Sequence, residues 1–225
     1  QSVEKFGATH VAVPPVLGIR NAVKNKKKLE EVIEAEVFEL LGFPPSVPGM
    51  RLQFALDDVY RNFGGKLLVG HEAVSFERND SHLTHVTARS PRRLLDVEAK
   101  AFLLSTGKYI GGGLAGDEKG IRETVFGLMT VTDAYHSAGE IVPSRHTNRI
   151  AISPEGQPVN SCGLTVDPHF RPVNEDGVEW ASNLFSAGVI LAGYDYSIEK
   201  SGLGVAAVSG FSAAKNAIDF VKGGG

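Results

Sequence analysis

The end of the chain constrains the fold most strongly, because it joins an apolar run to a helix that opens on glycine. Residues 183–190 (Asn-Leu-Phe-Ser-Ala-Gly-Val-Ile) predict a buried strand, and residues 203–221 predict a long helix rich in small side chains. The loop 191–201 connects them. This order places free backbone N–H groups at a helix N-terminus, where the helix dipole attracts partial negative charge. The pattern predicts an α/β fold and allows a ligand near this helix end.

A glycine-rich stretch in the middle of the chain matches the dinucleotide-binding fingerprint in letters only. Gly111, Gly113 and Gly116 spell G-x-G-x-x-G. A true fingerprint follows a strand directly and opens a helix. Here the predicted apolar strand at 101–104 ends six residues before the first glycine, and the residues that follow are weakly helical. We therefore expect a flexible crossover between two domains rather than a pyrophosphate-binding turn.

A second match lies at the predicted C-terminal helix, where Gly202, Gly204 and Ala207 spell G-x-G-x-x-A. No second strand or ribose-binding acid follows it, so it is not the first turn of a βαβ unit. Two interpretations stay open. The glycines can let a flat ring lie against the backbone, or they can permit tight helix packing, since glycine serves either purpose.

The remaining pattern predicts alternating strands and helices. Strands are expected at residues 8–13, 37–40 and 66–69, a β-meander at 72–104 closing on the strand at 101–104, and helices at 24–35 and 49–62. The closing apolar strand is typical of a parallel sheet.

Composition excludes several classes of protein. The net charge of −3 argues against a general nucleic-acid binder. No apolar stretch approaches the roughly 18 residues of a membrane span, and no signal peptide is recognised. The single cysteine, Cys162, excludes an intramolecular disulfide and a cysteine-ligated iron–sulfur cluster, fits a reducing cytoplasmic setting, and is expected to be a small buried hydrophobe. The histidines show no metal-ligand spacing.

Some polar residues allow both a functional and a structural interpretation. Arg145, His146 and Arg149 can bind an anionic substrate, but a solvated loop is the favoured interpretation. Arg51 lies in the first turn of a predicted helix, where a cation faces the positive end of the helix dipole. A neighbouring anion would explain its position, but simple exposure to solvent is the preferred interpretation. The loop residue Tyr194 can contact a ligand or a second domain.

Seven segments together carry a resemblance to a known family. They are residues 13–18, 43–52, 103–107, 123–128, 167–172, 183–195 and 202–206. In this order they resemble the B subunit of anaerobic glycerol-3-phosphate dehydrogenase, a flavoprotein family related to the fumarate reductase and succinate dehydrogenase flavoproteins. The resemblance extends over nearly the whole chain.

The resemblance implies an α/β fold of the FAD/NAD(P)-binding, Rossmann-like (glutathione-reductase-like) class with an inserted α+β cap domain. By that likeness residues 1–40 would be cap or its border and 41–110 flavin-binding domain. Residues 111–165 would be cap or crossover, and 166–225 the last part of the flavin-binding domain. The N-terminal βαβ segment that holds the nucleotide phosphates in this family is expected to be missing from the sequence.

The resemblance also implies a cofactor, with FMN the first choice and FAD the alternative. Val189 departs from many flavoproteins of the wider group, which carry Glu there. The residues expected to bind the cofactor are Gly107, Gly188, Gly193, Gly202, Leu203, Gly204 and Val205. No catalytic acid or base and no metal ligand is assigned.

The implied function is that of one member of an oxidoreductase complex that helps transfer electrons from glycerol 3-phosphate through flavin to a quinone. Expected partners are the catalytic flavoprotein of the complex, its A subunit, and an iron–sulfur protein that anchors the complex. These partners would place the protein in the cytoplasm or at the inner face of the membrane. Two alternatives stay open. One is a non-catalytic scaffold that kept the fold and lost the cofactor, and the other is a soluble flavoprotein of the fumarate reductase type.

Overall fold

The computed structural model describes residues 5–42, 44–118, 120–132, 135–136 and 146–223. The chain divides into two compact units between Val69 and Gly70. Each unit mixes helices with strands, as the sequence predicts for the α/β class. The expected cap insertion and the segment boundaries at 40/41, 110/111 and 165/166 stay predictions.

The first unit is built around a strand–helix–strand motif. Its elements are β1 (His10–Val13), α1 (Ala22–Ile33), β2 (Glu36–Glu39) and α2 (Val47–Asn62). The two strands pair in parallel, with Val11 opposite Val37, and the Val37 side chain is fully buried. Glu30 of α1 accepts a hydrogen bond from the Val37 N–H at 2.9 Å, which fixes the return of the chain into β2.

Four of the predicted elements in this unit are confirmed and one is wrong. The strand expected at residues 66–69 is irregular chain in the structure. Its apolar side chains do not enter a core, since Val69 is 81% exposed and Leu68 is 47% exposed. An apolar composition without buried neighbours is not enough to form a strand.

The second unit contains short sheets and one long helix. Its elements in chain order are β3 (Glu72–Asn79), β4 (His82–Arg89), β5 (Leu94–Glu98), β6 (Phe102–Leu104), β7 (Leu114–Asp117), β8 (Gly120–Glu123), β9 (Val131–Thr132), β10 (Tyr135–His136), α3 (Pro158–Ser161), β11 (Leu184–Ser186), α4 (Tyr196–Glu199) and α5 (Gly202–Lys222). Strands β3, β4 and β5 form the predicted antiparallel meander. Strands β6 and β11 pair in parallel, with Leu104 opposite Ser186.

The predicted strand at 183–190 is shorter in the structure. It ends at Ser186, and a 3-10 turn covers Gly188–Ile190. Gly188 has a φ of +83°, a left-handed conformation that breaks the extended chain and that glycine adopts without strain. The helix α5 packs back on β11 through the buried Ala213 and an edge-on contact between Phe185 and Phe220, whose ring centroids lie 6.1 Å apart.

The first fingerprint match opens no helix, as expected. The chain folds back on itself instead, because the Gly113 N–H donates to the Lys108 carbonyl at 2.9 Å. It then enters the antiparallel hairpin β7–β8, in which Gly116 lies opposite Ile121. An antiparallel hairpin cannot provide the βαβ geometry that a pyrophosphate turn needs.

Candidate functional site

The loops that follow β6 and β11 leave the sheet at one edge, because the two strands run in parallel. The Ala187 N–H donates to the Leu104 carbonyl at 3.0 Å, so the pairing continues up to the point where both strands end. In open α/β sheets, ligands bind in the crevice outside the carboxyl ends of the strands. This edge, formed by the loops 105–113 and 187–195 and the start of α5, is therefore the candidate site.

Two of the predicted site glycines, Gly107 and Gly188, lie in segments that meet at this edge. A Cβ atom on Gly107 would lie 3.7 Å from Cγ2 of Val189, the residue after Gly188. Both glycines are left-handed, with φ of +76° and +83°. The Gly188 N–H donates to Ser209 Oγ in α5 at 2.9 Å, so the helix is tied directly to the end of β11.

A buried lysine joins three segments beneath the site. Lys108 is 4% exposed. Its Nζ donates to the carbonyl oxygen of Asn160 at the end of α3. It also donates to the carbonyl oxygen of Tyr194 at 3.3 Å and lies 5.2 Å from the centre of that tyrosine ring. The neighbouring Gly193, another predicted site residue, donates its N–H to the Ser161 carbonyl at 3.2 Å.

The helix α5 begins at Gly202 and leaves its first turn available to a ligand. Ser201 occupies the N-cap position, but its side chain makes no cap hydrogen bond. The first helical bond runs from the Val205 N–H to the Ser201 carbonyl at 3.0 Å. The N–H groups of Gly202, Leu203 and Gly204 precede it and have no acceptor one turn earlier in the helix.

The surroundings of Gly204 bear on the two interpretations of the second glycine match. A Cβ atom there would meet no atom of the described residues within 4 Å. Its φ is not in the left-handed region. Packing against the described residues and backbone strain therefore do not explain this glycine, and the same holds for Gly210 farther along α5. The close approach of a ligand to Gly204 stays a prediction.

Four buried hydroxyl groups around this edge have no hydrogen-bond partner in the part of the chain that the structure describes. They are Thr106 Oγ1, Ser186 Oγ, Tyr194 OH and Ser201 Oγ. Thr106 follows β6, Ser186 ends β11, and the other two precede α5. Buried polar groups without partners cost free energy, and almost all such groups in native proteins are satisfied. The arrangement therefore fits a polar ligand at the carboxyl edge.

The polar residues just before α5 are fixed by their surroundings. Burial raises the pKa of the Tyr194 phenol, and the nearby acidic groups of Glu199 and Asp195 raise it further, so this side chain stays an O–H donor. Asp195 caps α4, because its Oδ1 accepts the Ser197 N–H at 2.7 Å. Burial alone would raise the pKa of this carboxyl, but its hydrogen bonds from Ser197 and Gln157 lower it overall.

Two of the other polar predictions have a clear outcome. The expectation that Arg51 is simply exposed is wrong. Its guanidinium forms a two-pronged ion pair with Glu39, with N–O distances of 2.5 and 2.9 Å, and Nε donates to the Gly18 carbonyl at 2.8 Å. Arg149 is exposed, which agrees with the solvated-loop interpretation, and Arg145 lies outside the described residues.

The site glycines stay a prediction, and the sequence analysis did not single out Lys108, Thr106, Ser186 or Ser201. A lysine within four residues of the end of an apolar strand is a detectable signal, since a cation at the carboxyl end of a buried strand needs a partner. The hydroxyls carried no signal in sequence, because serine and threonine are common in exposed loops.

Two further properties of the described residues concern metal ions and membranes. Within the described ranges, no group of three or more His, Cys, Asp or Glu side chains could hold a metal ion. Among the helices that the structure describes, none is both long and apolar enough to cross a membrane.

Comparison with known proteins shows the family of this chain. A family model described as an FAD binding domain matches residues 3–205. The B subunit of anaerobic glycerol-3-phosphate dehydrogenase from Vibrio vulnificus (strain CMCP6) is 30% identical over 210 residues, which cover 92% of this chain and 45% of that protein. Its counterpart from Aliivibrio fischeri (strain MJ11), with the same name, is 28% identical over 223 residues, covering 93% and 46%.

A more distant relative has a similar name. The probable B subunit of anaerobic glycerol-3-phosphate dehydrogenase from Halobacterium salinarum (strain ATCC 29341 / DSM 671 / R1) is 26% identical over 216 residues, covering 95% of this chain and 48% of that protein. The chain spans about half the length of the curated relatives it matches. No solved structure matches it.

These findings confirm the resemblance that the sequence segments carry and correct the order of cofactors. The description of the matching family names FAD as the cofactor, and nothing supports FMN as the first choice. The family match implies the FAD-binding, Rossmann-like fold, in agreement with the parallel pairing of β6 and β11. Because the match extends over most of the sequence, this chain belongs to the FAD-binding domain family.

Proposed function

We propose that this chain is the flavin-binding part of an oxidoreductase complex that passes electrons from glycerol 3-phosphate to a quinone, with FAD as its cofactor. The family match supports the flavin, and the names of the relatives support the substrate. The observation that carries the proposal is a set of four buried hydroxyls that have no partner among the described residues, together with the N–H groups that open α5, at the carboxyl ends of β6 and β11.

The residues proposed to hold the cofactor are Gly107, Gly188, Gly193, Gly202, Leu203, Gly204 and Val205. The backbone N–H groups at the start of α5 would receive the electron-rich edge of the ring system, since a helix N-terminus favours negative charge. The missing side chains of Gly202 and Gly204 would let a flat ring approach the backbone. A bound flavin supplies the redox chemistry itself, while the protein supplies orientation and electrostatics.

No titratable side chain that the structure describes at this edge is a suitable general base. Asp195 accepts hydrogen bonds that lower its pKa. Lys108 is held by two carbonyl oxygens, and Tyr194 is kept protonated by burial and nearby negative charge. A base must reach the proton that it removes and must bind protons near the working pH. The proposal therefore assigns substrate oxidation to a partner, a catalytic flavoprotein, and attachment at the inner face of the membrane to an iron–sulfur partner.

The natural full-length protein, co-purified with its native partners, tests this function. The proposal expects stoichiometric FAD and reduction of a quinone analogue that depends on glycerol 3-phosphate. A complex that binds FAD but reduces the quinone with no dependence on glycerol 3-phosphate contradicts the substrate. If it reduces fumarate from a reduced dye instead, the fumarate reductase alternative is correct. An active complex in which this protein carries no flavin supports the non-catalytic scaffold.

A further inference from the structure

Tyr194 combines deep burial with an unused hydroxyl. The residue is 8% exposed, and its OH has no hydrogen-bond partner among the described residues. That hydroxyl lies 3.5 Å from the position that a Cβ atom of Gly202 would take, which places it beside the first residue of α5. A buried phenol normally finds a partner for its O–H, so the position of this hydroxyl beside the start of α5 needs an explanation.

A neighbouring cation and the loop that follows Tyr194 both restrict this residue. The Lys108 ammonium bonds to the Tyr194 carbonyl at 3.3 Å and lies 5.2 Å from the ring centre. In the loop that follows, the Asp195 carboxylate is engaged by the Ser197 N–H and so fixes the start of α4. Because the ammonium contacts the tyrosine ring and also bonds to the main chain of the same tyrosine, it restricts both the ring and the loop. The hydroxyl is therefore pre-oriented.

The surroundings of the hydroxyl suit an acceptor with partial negative charge. Ser201 Oγ, the other unpartnered hydroxyl next to α5, can donate a second hydrogen bond. The N–H groups of Gly202 and Leu203 add donors that point along the helix axis. Donors of three kinds thus converge at one helix end, and this set is complementary to ring carbonyl and ring nitrogen acceptors.

We infer that Tyr194 is a cofactor-recognition residue, whose O–H donates to an acceptor on the polar edge of the flavin ring, and that Lys108 is the positioning residue that holds the phenol there. The inference rests on the proposed flavin site and adds to it the side chain that recognises the ring. The seven glycine-centred residues proposed above offer backbone groups and space, whereas Tyr194 offers a directed side-chain donor.

The test is Tyr194→Phe in the natural full-length protein, stripped of flavin and titrated with FAD. Affinity should fall roughly tenfold, which is about 1.4 kcal/mol, the size of a hydrogen bond's net contribution. The thermal midpoint of the flavin-free variant should be unchanged or higher, because the lost hydroxyl has no partner among the described residues. If the hydroxyl has a purely structural role, FAD affinity should stay at the wild-type value and the thermal midpoint should fall.

Thr130→Val is the matched control. The Thr130 hydroxyl is fully buried, lies outside the loops of the candidate site, and donates to the Ile121 carbonyl at 2.8 Å. Its removal should lower the thermal midpoint and leave FAD affinity near the wild-type value. Each variant thus loses one buried hydroxyl, with opposite expected results.

A double variant tests the role given to Lys108. If Lys108 acts only through the phenol, Lys108→Met combined with Tyr194→Phe should bind FAD no more weakly than Tyr194→Phe alone. Additive losses overturn the positioning role. Wild-type FAD affinity in Tyr194→Phe overturns the recognition role while the flavin site stands, and a wild-type protein that binds no flavin overturns the proposed function itself.

Discussion

Asn183 and Leu83 exchange two hydrogen bonds although 100 residues separate them in the sequence. The Leu83 N–H donates to Asn183 Oδ1 at 2.9 Å, and Asn183 Nδ2 donates to the Leu83 carbonyl at 2.8 Å. Both residues are fully buried. The Asn183 carbonyl also accepts the Phe102 N–H at 2.9 Å. One residue thus ties the meander strand β4 to the parallel pair that ends at the candidate site.

Asn183→Leu should destabilise the protein by about 2–4 kcal/mol, because it leaves the N–H and carbonyl of Leu83 buried without partners. Urea unfolding followed by Trp180 fluorescence measures the loss, since that ring packs in the same core. A change of less than about 0.5 kcal/mol, the range of ordinary surface substitutions, would mean that water or a shifted backbone satisfies Leu83 instead.

The sequence predicted the elements that depend on local patterns. The long helix α5 and the parallel strand before it follow from apolar runs and a helix-opening glycine, and the structure places their starts within one or two residues of the prediction. The strand at 183–190 was predicted too long because Ser186, Ala187 and Gly188 are all compatible with a strand. Only the left-handed φ of Gly188 ends it.

The missed features depend on contacts between distant residues. Arg51 was expected to be exposed because its partner Glu39 lies 12 residues earlier, across a turn whose path the sequence does not specify. Lys108 was not predicted as a structural clamp, because its acceptors are carbonyl oxygens 52 and 86 residues away. Backbone acceptors carry no side-chain signature, so the identity of the partners has no sequence signal.

Gly113→Ala should destabilise the loop that follows β6 by about 3 kcal/mol or more, because there is no room for a methyl group. Its Cβ would lie 2.0 Å from the Gly107 carbonyl oxygen and 2.7 Å from Thr106 Oγ1. Gly210→Ala is the control, since a Cβ there meets no described atom within 4 Å, and it should stabilise α5 by roughly 0.5–1 kcal/mol. Equal melting temperatures for the two variants would contradict the packing described for this loop.

The Glu39–Arg51 pair should make the first unit sensitive to acid. The hydrogen bond from Arg51 lowers the pKa of Glu39 below its usual value, and the Leu17 N–H lowers it further. A carboxyl with a lowered folded-state pKa contributes stability above its unfolded pKa, and that contribution is lost as pH falls toward the folded value. Glu39→Gln should therefore increase hydrogen exchange in β2 at pH 7, and the difference from wild type should shrink below about pH 4.5.

The Glu39–Arg51 pair cannot make the difference in hydrogen exchange grow as the pH falls. A difference between wild type and Glu39→Gln that grows on acidification would show that another group controls the stability of the first unit. Arg20→Met is a useful control, because the Arg20–Asp58 pair is more exposed on both sides and exposed pairs contribute little.

Cys162 should be unreactive in the folded protein. Its side chain is fully buried, and its Sγ donates to Thr130 Oγ1 at 3.1 Å. Burial raises the pKa of the thiol, an effect that hydrogen bonds from its neighbours reduce only in part. Because the thiolate is the reactive form, alkylation by iodoacetamide should require unfolding, and its rate should rise with urea through the unfolding transition. Rapid alkylation in buffer would contradict the burial of this residue.

FAD retention by Gly204→Val, compared with Gly210→Val, tests most directly whether the start of α5 faces the flavin. Neither added side chain meets described atoms around its Cβ position, so both flavin-free variants of the natural full-length protein should unfold near the wild-type midpoint. Gly204→Val should bind FAD at least about tenfold more weakly, since its methyl groups occupy the space of the ring, and Gly210→Val should bind it normally. Full flavin content in Gly204→Val would contradict the flavin site at this helix end.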